Sequence, residues 1–68
     1  MYNWYVIAMK TKTEKTIYLK EGTNNNLEWT FDRNEGIWFE LEEQAEKLAK
    51  DYFKEFDKWF IEEFEYIY

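Results

Sequence analysis

The sequence predicts an α+β domain: an antiparallel three- to four-stranded meander packed on one amphipathic helix, with a closing C-terminal strand. Two changes of period predict it. The first half holds short apolar-rich segments between polar turns, with clean two-residue alternation over residues 27–32, and from Leu41 the apolar residues recur with helical spacing. Residues 58–66 then return to aromatic and β-branched types, which suit a pleated surface.

Taken in order, residues 3–10 read as a strand with Trp4, Val6 and Ala8 on one face and Tyr5, Ile7 and Met9 on the other. Both faces are apolar, so this strand is either central and covered twice, or one face awaits a partner. Residues 11–14 form a polar turn. Residues 15–19 make a second short strand, with Ile17 and Leu19 opposing Thr16 and Tyr18. A polar loop over 20–26 contains Gly22 and an Asn run, both turn formers. Residues 27–32 alternate cleanly and predict a half-buried strand. The chain turns at 33–36, and Ile37, Trp38 and Phe39 resume as an edge strand.

Ala45, Leu48, Ala49, Tyr52, Phe53 and Phe56 lie on one helical stripe. Glu42, Glu43 and Glu46 fall in the first turns, where the positive end of the helix dipole favours carboxylates. The stripe can be continued through Trp59, Phe60, Phe64 and Ile67 as one long helix. A final strand over 58–66, with Phe60, Phe64 and Tyr66 on one face, is favoured, because such a helix would outrun a sheet of short strands.

Composition narrows the function. Sixty-eight residues make one domain, 1–68, near the lower limit for independent folding. With no Cys and no His, disulfides and the usual zinc sets are excluded, so packing must hold the fold. Aromatic residues make up 24% of the chain, which is a means to that end and argues against a disordered tail. No apolar run approaches the roughly 20 residues that span a bilayer. The first residues lack the basic start of a signal peptide, and a cytoplasmic protein is the expectation. Net charge is −6 and unevenly placed. Residues 1–34 carry five basic and four acidic side chains, residues 35–68 four and eleven. That balance argues against direct nucleic-acid binding, which runs on clustered Lys and Arg, and for attraction to a basic protein surface.

The stretch Trp38-Phe39-Glu40-Leu41-Glu42-Glu43-Gln44-Ala45-Glu46, between the meander and a closing Lys58-Trp59-Phe60-Ile61 segment, resembles many small phage and prophage open reading frames. The likeness covers most of the chain, and its motif is structural. It implies a meander, one helix and a last strand. It also implies an inhibitor of host defence, a class that includes anti-CRISPR proteins. Leu41 stands where such proteins usually place a Ser, Asp or Thr cap.

Catalysis finds little support. Without Ser, Cys or His there is no Ser–His or Cys–His arrangement, and an 8.6 kDa domain can hardly wall a sugar cleft between paired carboxylates. Asp32-Arg33-Asn34-Glu35-Gly36 begins like a calcium loop, but its Gly is misplaced, and an Asx turn is the simpler reading. No cofactor or metal is expected. The expected function is therefore a non-enzymatic acidic binding protein: a phage-type inhibitor of a host CRISPR or restriction protein, acting by surface occlusion or nucleic-acid mimicry in the bacterial cytoplasm. Glu42, Glu43, Glu46, Glu62, Glu63 and Glu65 are its expected steering charges, and Tyr5, Tyr18 and Tyr66 its expected contact rings. One helix shields only one face of the sheet, so the open face is expected to present aromatic residues to the partner. The alternative is a homodimeric assembly module joined through that aromatic face. An idealised designed domain would also lack Pro, Cys and His, but the Asn run and unshielded aromatics count against it.

Overall fold

Branched and aromatic residues in alternation give four strands: β1 (Tyr2–Lys10), β2 (Thr16–Glu21), β3 (Leu27–Thr30) and β4 (Trp59–Tyr66). One helix, α1 (Glu42–Tyr52), lies between β3 and β4 in the chain. The computed structural model describes residues 2–53 and 58–66. The sheet order is β3-β2-β1-β4, with every neighbouring pair antiparallel. The expected α+β architecture is thus found, including the closing strand.

β1 is central and covered on both sides, since Val6, Ile7 and Ala8 are all fully buried. On the helix side, Ile7 and Leu19 meet Ala45 and Ala49 of α1. The two alanines let the helix settle onto the sheet, and Leu27, Trp29, Phe39, Leu48, Phe53, Trp59 and Ile61 pack around that contact. Complete burial of a side chain such as Ile7 or Leu19 stabilises by about 1.5–3 kcal/mol.

α1 begins without a side-chain acceptor, because Leu41 has none to offer. Only the reverse half of a capping box forms: the Leu41 N–H donates to Gln44 Oε1 at 3.3 Å. The helix stops where Phe53 turns extended (φ −114°, ψ 141°), its N–H still donating to the Ala49 carbonyl at 2.7 Å. Phe56, assigned to the same stripe, lies outside the described residues. The chain then returns as β4, which places Ile61 opposite Ile7 and Phe64 opposite Trp4. A continuous helix would have left those rings nothing to pack on.

The turns follow local chemistry. Thr11 N–H donates to the Lys15 carbonyl (2.8 Å) and Glu14 N–H to the Thr11 carbonyl (2.9 Å), which closes a three-residue hairpin loop. Glu14 takes the left-handed conformation (φ 62°) that this loop requires. Asn24 and Asn25 are also left-handed, which explains the Asn run by the tolerance of Asn for that region. Gly22 is needed for space: a Cβ there would stand 2.6 Å from the Glu28 side chain.

β3 ends two residues earlier than its alternation suggests. Thr30 Oγ1 accepts from the Asp32 N–H (3.1 Å) and donates to Glu35 (3.0 Å), while Asp32 Oδ1 accepts from the Asn34 N–H (2.9 Å). These side-chain bonds offer the backbone an alternative to the ladder, and the expected Asx turn forms. Phe31 is left 70% exposed in consequence.

Candidate interaction surface

The segment after that turn changes what the sheet presents. Ile37 N–H donates to the Leu19 carbonyl (2.9 Å), and Phe39 exchanges two backbone bonds with Tyr5 (2.9 and 2.8 Å). Residues 37–39 therefore run beside the first half of β1, on its β2 side, and alternate their side chains across the sheet. Phe39 joins the helix-side core. Trp38 goes to the opposite face, with ring centroids 5.8 Å from Trp4, 4.9 Å from Phe64 and 5.2 Å from Tyr66. Its Nε1–H donates to the Arg33 carbonyl at 3.0 Å. The Arg33 guanidinium sits 4.2 Å from the Phe64 ring centre and 3.3 Å from Glu62.

The second face is thus roofed in part by the chain itself, where the sequence predicts an open aromatic face. The reason is physical: three residues in extended form carry Trp38 to one side of the sheet and Phe39 to the other. The signal was present in Ile37-Trp38-Phe39, but periodicity does not say which strand such a segment joins. Arg33, valued in the sequence only as a lone basic residue, proves to hold this roof through Phe64 and Glu62. The covering is partial, because Phe60 and Tyr66 on the same face stay 36% and 41% exposed.

The expected site residues separate. Tyr5 lies on the helix side, and its hydroxyl donates to Glu63 Oε2 at 2.8 Å. That bond to a carboxylate, then desolvation and the charges of Glu63 and Glu42, holds the Tyr5 hydroxyl above its usual range. Tyr18 lies on the other face, opposite Ala8, and is raised chiefly by burial, with Glu62 adding and Arg33 opposing. Tyr66 is 41% exposed on that second face beside Trp38. The three tyrosines form no common patch. Glu62 is committed to Arg33, and Glu46 is half-buried in the second turn of α1.

The remaining acids do converge. Phe39 pairs with Tyr5, which brings exposed Glu40 to the start of β1. Glu42 at the helix start is close enough to act on the Tyr5 hydroxyl, with Glu43 beside it. Glu63 holds that hydroxyl, and Glu65 lies opposite Asn3. Glu40, Glu42, Glu43, Glu63 and Glu65 therefore share one end of the molecule. Among the described residues the opposite end is mainly basic, with Glu14 the one acid of the hairpin loop, a feature sequence reasoning missed. The β1–β2 hairpin carries Lys10, Lys12 and Lys15, and because Met9 pairs with Trp59, Lys58 arrives beside Lys10. Lys10, Thr11, Lys12, Glu14 and Lys58 line an open cavity of about 730 Å³ there.

No family model, no curated protein and no solved structure matches this chain. Among the described residues, no helix is long and apolar enough to cross a membrane.

Proposed function

We propose that this chain is a non-enzymatic binding protein that docks its acidic end on a basic surface of another protein. The observation that carries the reading is the separation of charge: five carboxylates gather where β1 begins and four lysines gather around its hairpin. A solubilising shell has no reason to divide in this way. The division creates a field that draws the acidic end toward a basic surface and turns the lysines away from it. The resemblance to small phage proteins supports a finer form: an inhibitor of a host CRISPR or restriction protein, with carboxylates standing where nucleic-acid phosphates would.

The test compares three immobilised chains in bacterial lysate, with bound proteins identified by mass spectrometry. One is the parent, one carries Glu42→Lys, Glu43→Lys and Glu65→Lys, and one carries Glu14→Lys, Glu28→Lys and Asp51→Lys as a charge-matched control outside the acidic cluster. The parent and control are expected to retain the same nucleic-acid-handling proteins, released as salt approaches 1 M, where screening acts within about 3 Å. The acidic-end variant is expected to retain at least tenfold less. Equal retention by all three would refute docking through this end.

A further inference from the structure

β4 has a partner strand on one side only. It pairs with β1 along its whole length, from Tyr2↔Tyr66 to Met9↔Trp59, and among the described residues no backbone bond reaches its outer edge. The direction of its backbone groups follows from β1. Tyr5 exchanges its N–H and C=O with Phe39 on the β2 side, so the alternate residues Trp4, Val6 and Ala8 point theirs toward β4. Their opposites Phe64, Glu62 and Phe60 point back at β1. The N–H and C=O groups of Trp59, Ile61, Glu63 and Glu65 consequently face outward.

The other sheet edge is different. β3 has four residues, whereas β4 has eight. Short edges are one way proteins prevent stray pairing, and charge is another. The charge on β4 is of a single sign: Glu62, Glu63 and Glu65, with Glu62 held by Arg33. A second copy pairing here would bring the same three carboxylates to the joint and oppose them. An acidic segment meets the same repulsion. A basic extended segment alone gains both the backbone bonds and the charge pairs across the strands.

We propose that the outer edge of β4 accepts a fifth strand: an extended, Lys- or Arg-rich segment of the partner protein, hydrogen-bonded to the outward backbone groups of Trp59, Ile61, Glu63 and Glu65. This rests on the acidic-end reading and specifies how that end engages its partner, by strand addition. Glu63 and Glu65 project on the helix side, next to the Tyr5–Glu63 bond, so the incoming cations join the carboxylates already gathered there.

The probe is the peptide acetyl-Lys-Val-Lys-Val-Lys-Val-Lys-amide, titrated into the full chain and followed by amide NMR and hydrogen exchange. Two relatives serve as controls. One replaces each Lys by Glu, and the other is N-methylated at alternate residues on the bonding side, which keeps charge but blocks pairing. Strand addition predicts that the Lys peptide slows exchange at Trp59, Ile61, Glu63 and Glu65 at least tenfold, and that N-methylation weakens binding at least tenfold. Equal binding of the methylated peptide overturns strand addition while leaving acidic-end docking intact. Equal binding of the Lys and Glu peptides overturns both. Protection of those four amides in the free chain, with a dimer in sedimentation, would show a second copy on the edge and also overturn the inference.

Discussion

Replacing Trp38 by Ala tests whether the second face is a core or a surface. Its ring contacts Trp4, Phe64 and Tyr66, and its Nε1–H ties the turn at Arg33. Removing a buried Trp costs about 3–5 kcal/mol, and because this ring is only half-buried the lower figure applies, about 3 kcal/mol. A domain of this length has roughly 3–10 kcal/mol in total. At about 4–8 °C per kcal/mol, the melting temperature should fall by about 12–24 °C. Trp38→Phe keeps a ring against Phe64 but loses the bond to Arg33, and should cost about 1–2 kcal/mol. Phe31→Ala, at a side chain 70% exposed, should stay within about 0.5 kcal/mol. Thermal melts followed by near-UV circular dichroism report all three. If Trp38→Ala melts within a few degrees of the parent, the roof contributes no stability. The covered face would then have to be reconsidered as a partner surface.

Two further outcomes follow from the same packing. Ala49→Leu pushes a larger side chain between α1 and the Ile7–Leu19 layer, where Ala49 is fully buried. It should cost about 1–3 kcal/mol by chemical denaturation, and a variant as stable as the parent would mean that the helix does not rest on its alanines. Tyr5 and Tyr18 both have hydroxyls held above the ordinary value of 10.0. The native state keeps them neutral at pH values where the unfolded chain ionises them, so unfolding releases protons. Their contribution is fully present below pH 10.0 and is lost as pH rises through the raised values. Denaturation midpoints should fall above that pH, less steeply in Tyr5→Phe. Phenolate absorbance that rises for every tyrosine together, with no late component, would contradict the assignment.

Much of this fold was legible because its strands and helix depend on near-neighbour pattern. Alternation in residues 3–10 gave a strand apolar on both faces, and the structure buries Val6, Ile7 and Ala8 together. The stripe from Ala45 placed Ala45, Leu48, Ala49 and Phe53 on the packed face of α1, but Tyr52, assigned to the same stripe, is 57% exposed where the helix ends. What escaped was set by tertiary partners. Trp38 finds its role only once Phe39 pairs with Tyr5, a contact between residues far apart in the chain. The early end of β3 depends on Thr30 and Asp32 side chains competing with the ladder, and strand periodicity contains no term for that competition. The candidate site divided for the same reason. No sequence window links Glu42, Glu63 and Tyr5: the β1–β4 register sets Tyr5 against Glu63, and the Phe39–Tyr5 bridge brings the helix start with Glu42 to them. That register also carried Lys58 to Lys10, a basic cluster that no sequence window contains.

The two charged ends have unequal consequences for binding. Long-range attraction orients an approaching partner and speeds encounter, but exposed charges lose most of their interaction over about 8–10 Å at physiological salt. Affinity must come from groups that bind at contact. Of the large exposed hydrophobic residues, Leu41 and Tyr66 lie at the acidic end, between Glu40 and Glu42 and after Glu65, whereas Phe31 follows β3, Tyr52 closes α1, and Phe60 lies opposite Ala8. The outward backbone groups of β4 also reach that end, because the strand finishes there with Glu63 and Glu65. Steering and contact then meet at one end of the molecule, and they should respond differently to salt. Association with a basic strand should slow steeply as salt rises, whereas dissociation, governed by backbone hydrogen bonds, should change little. If added salt instead leaves association unaltered and accelerates dissociation, the carboxylates act in the bound state and the division of labour is reversed.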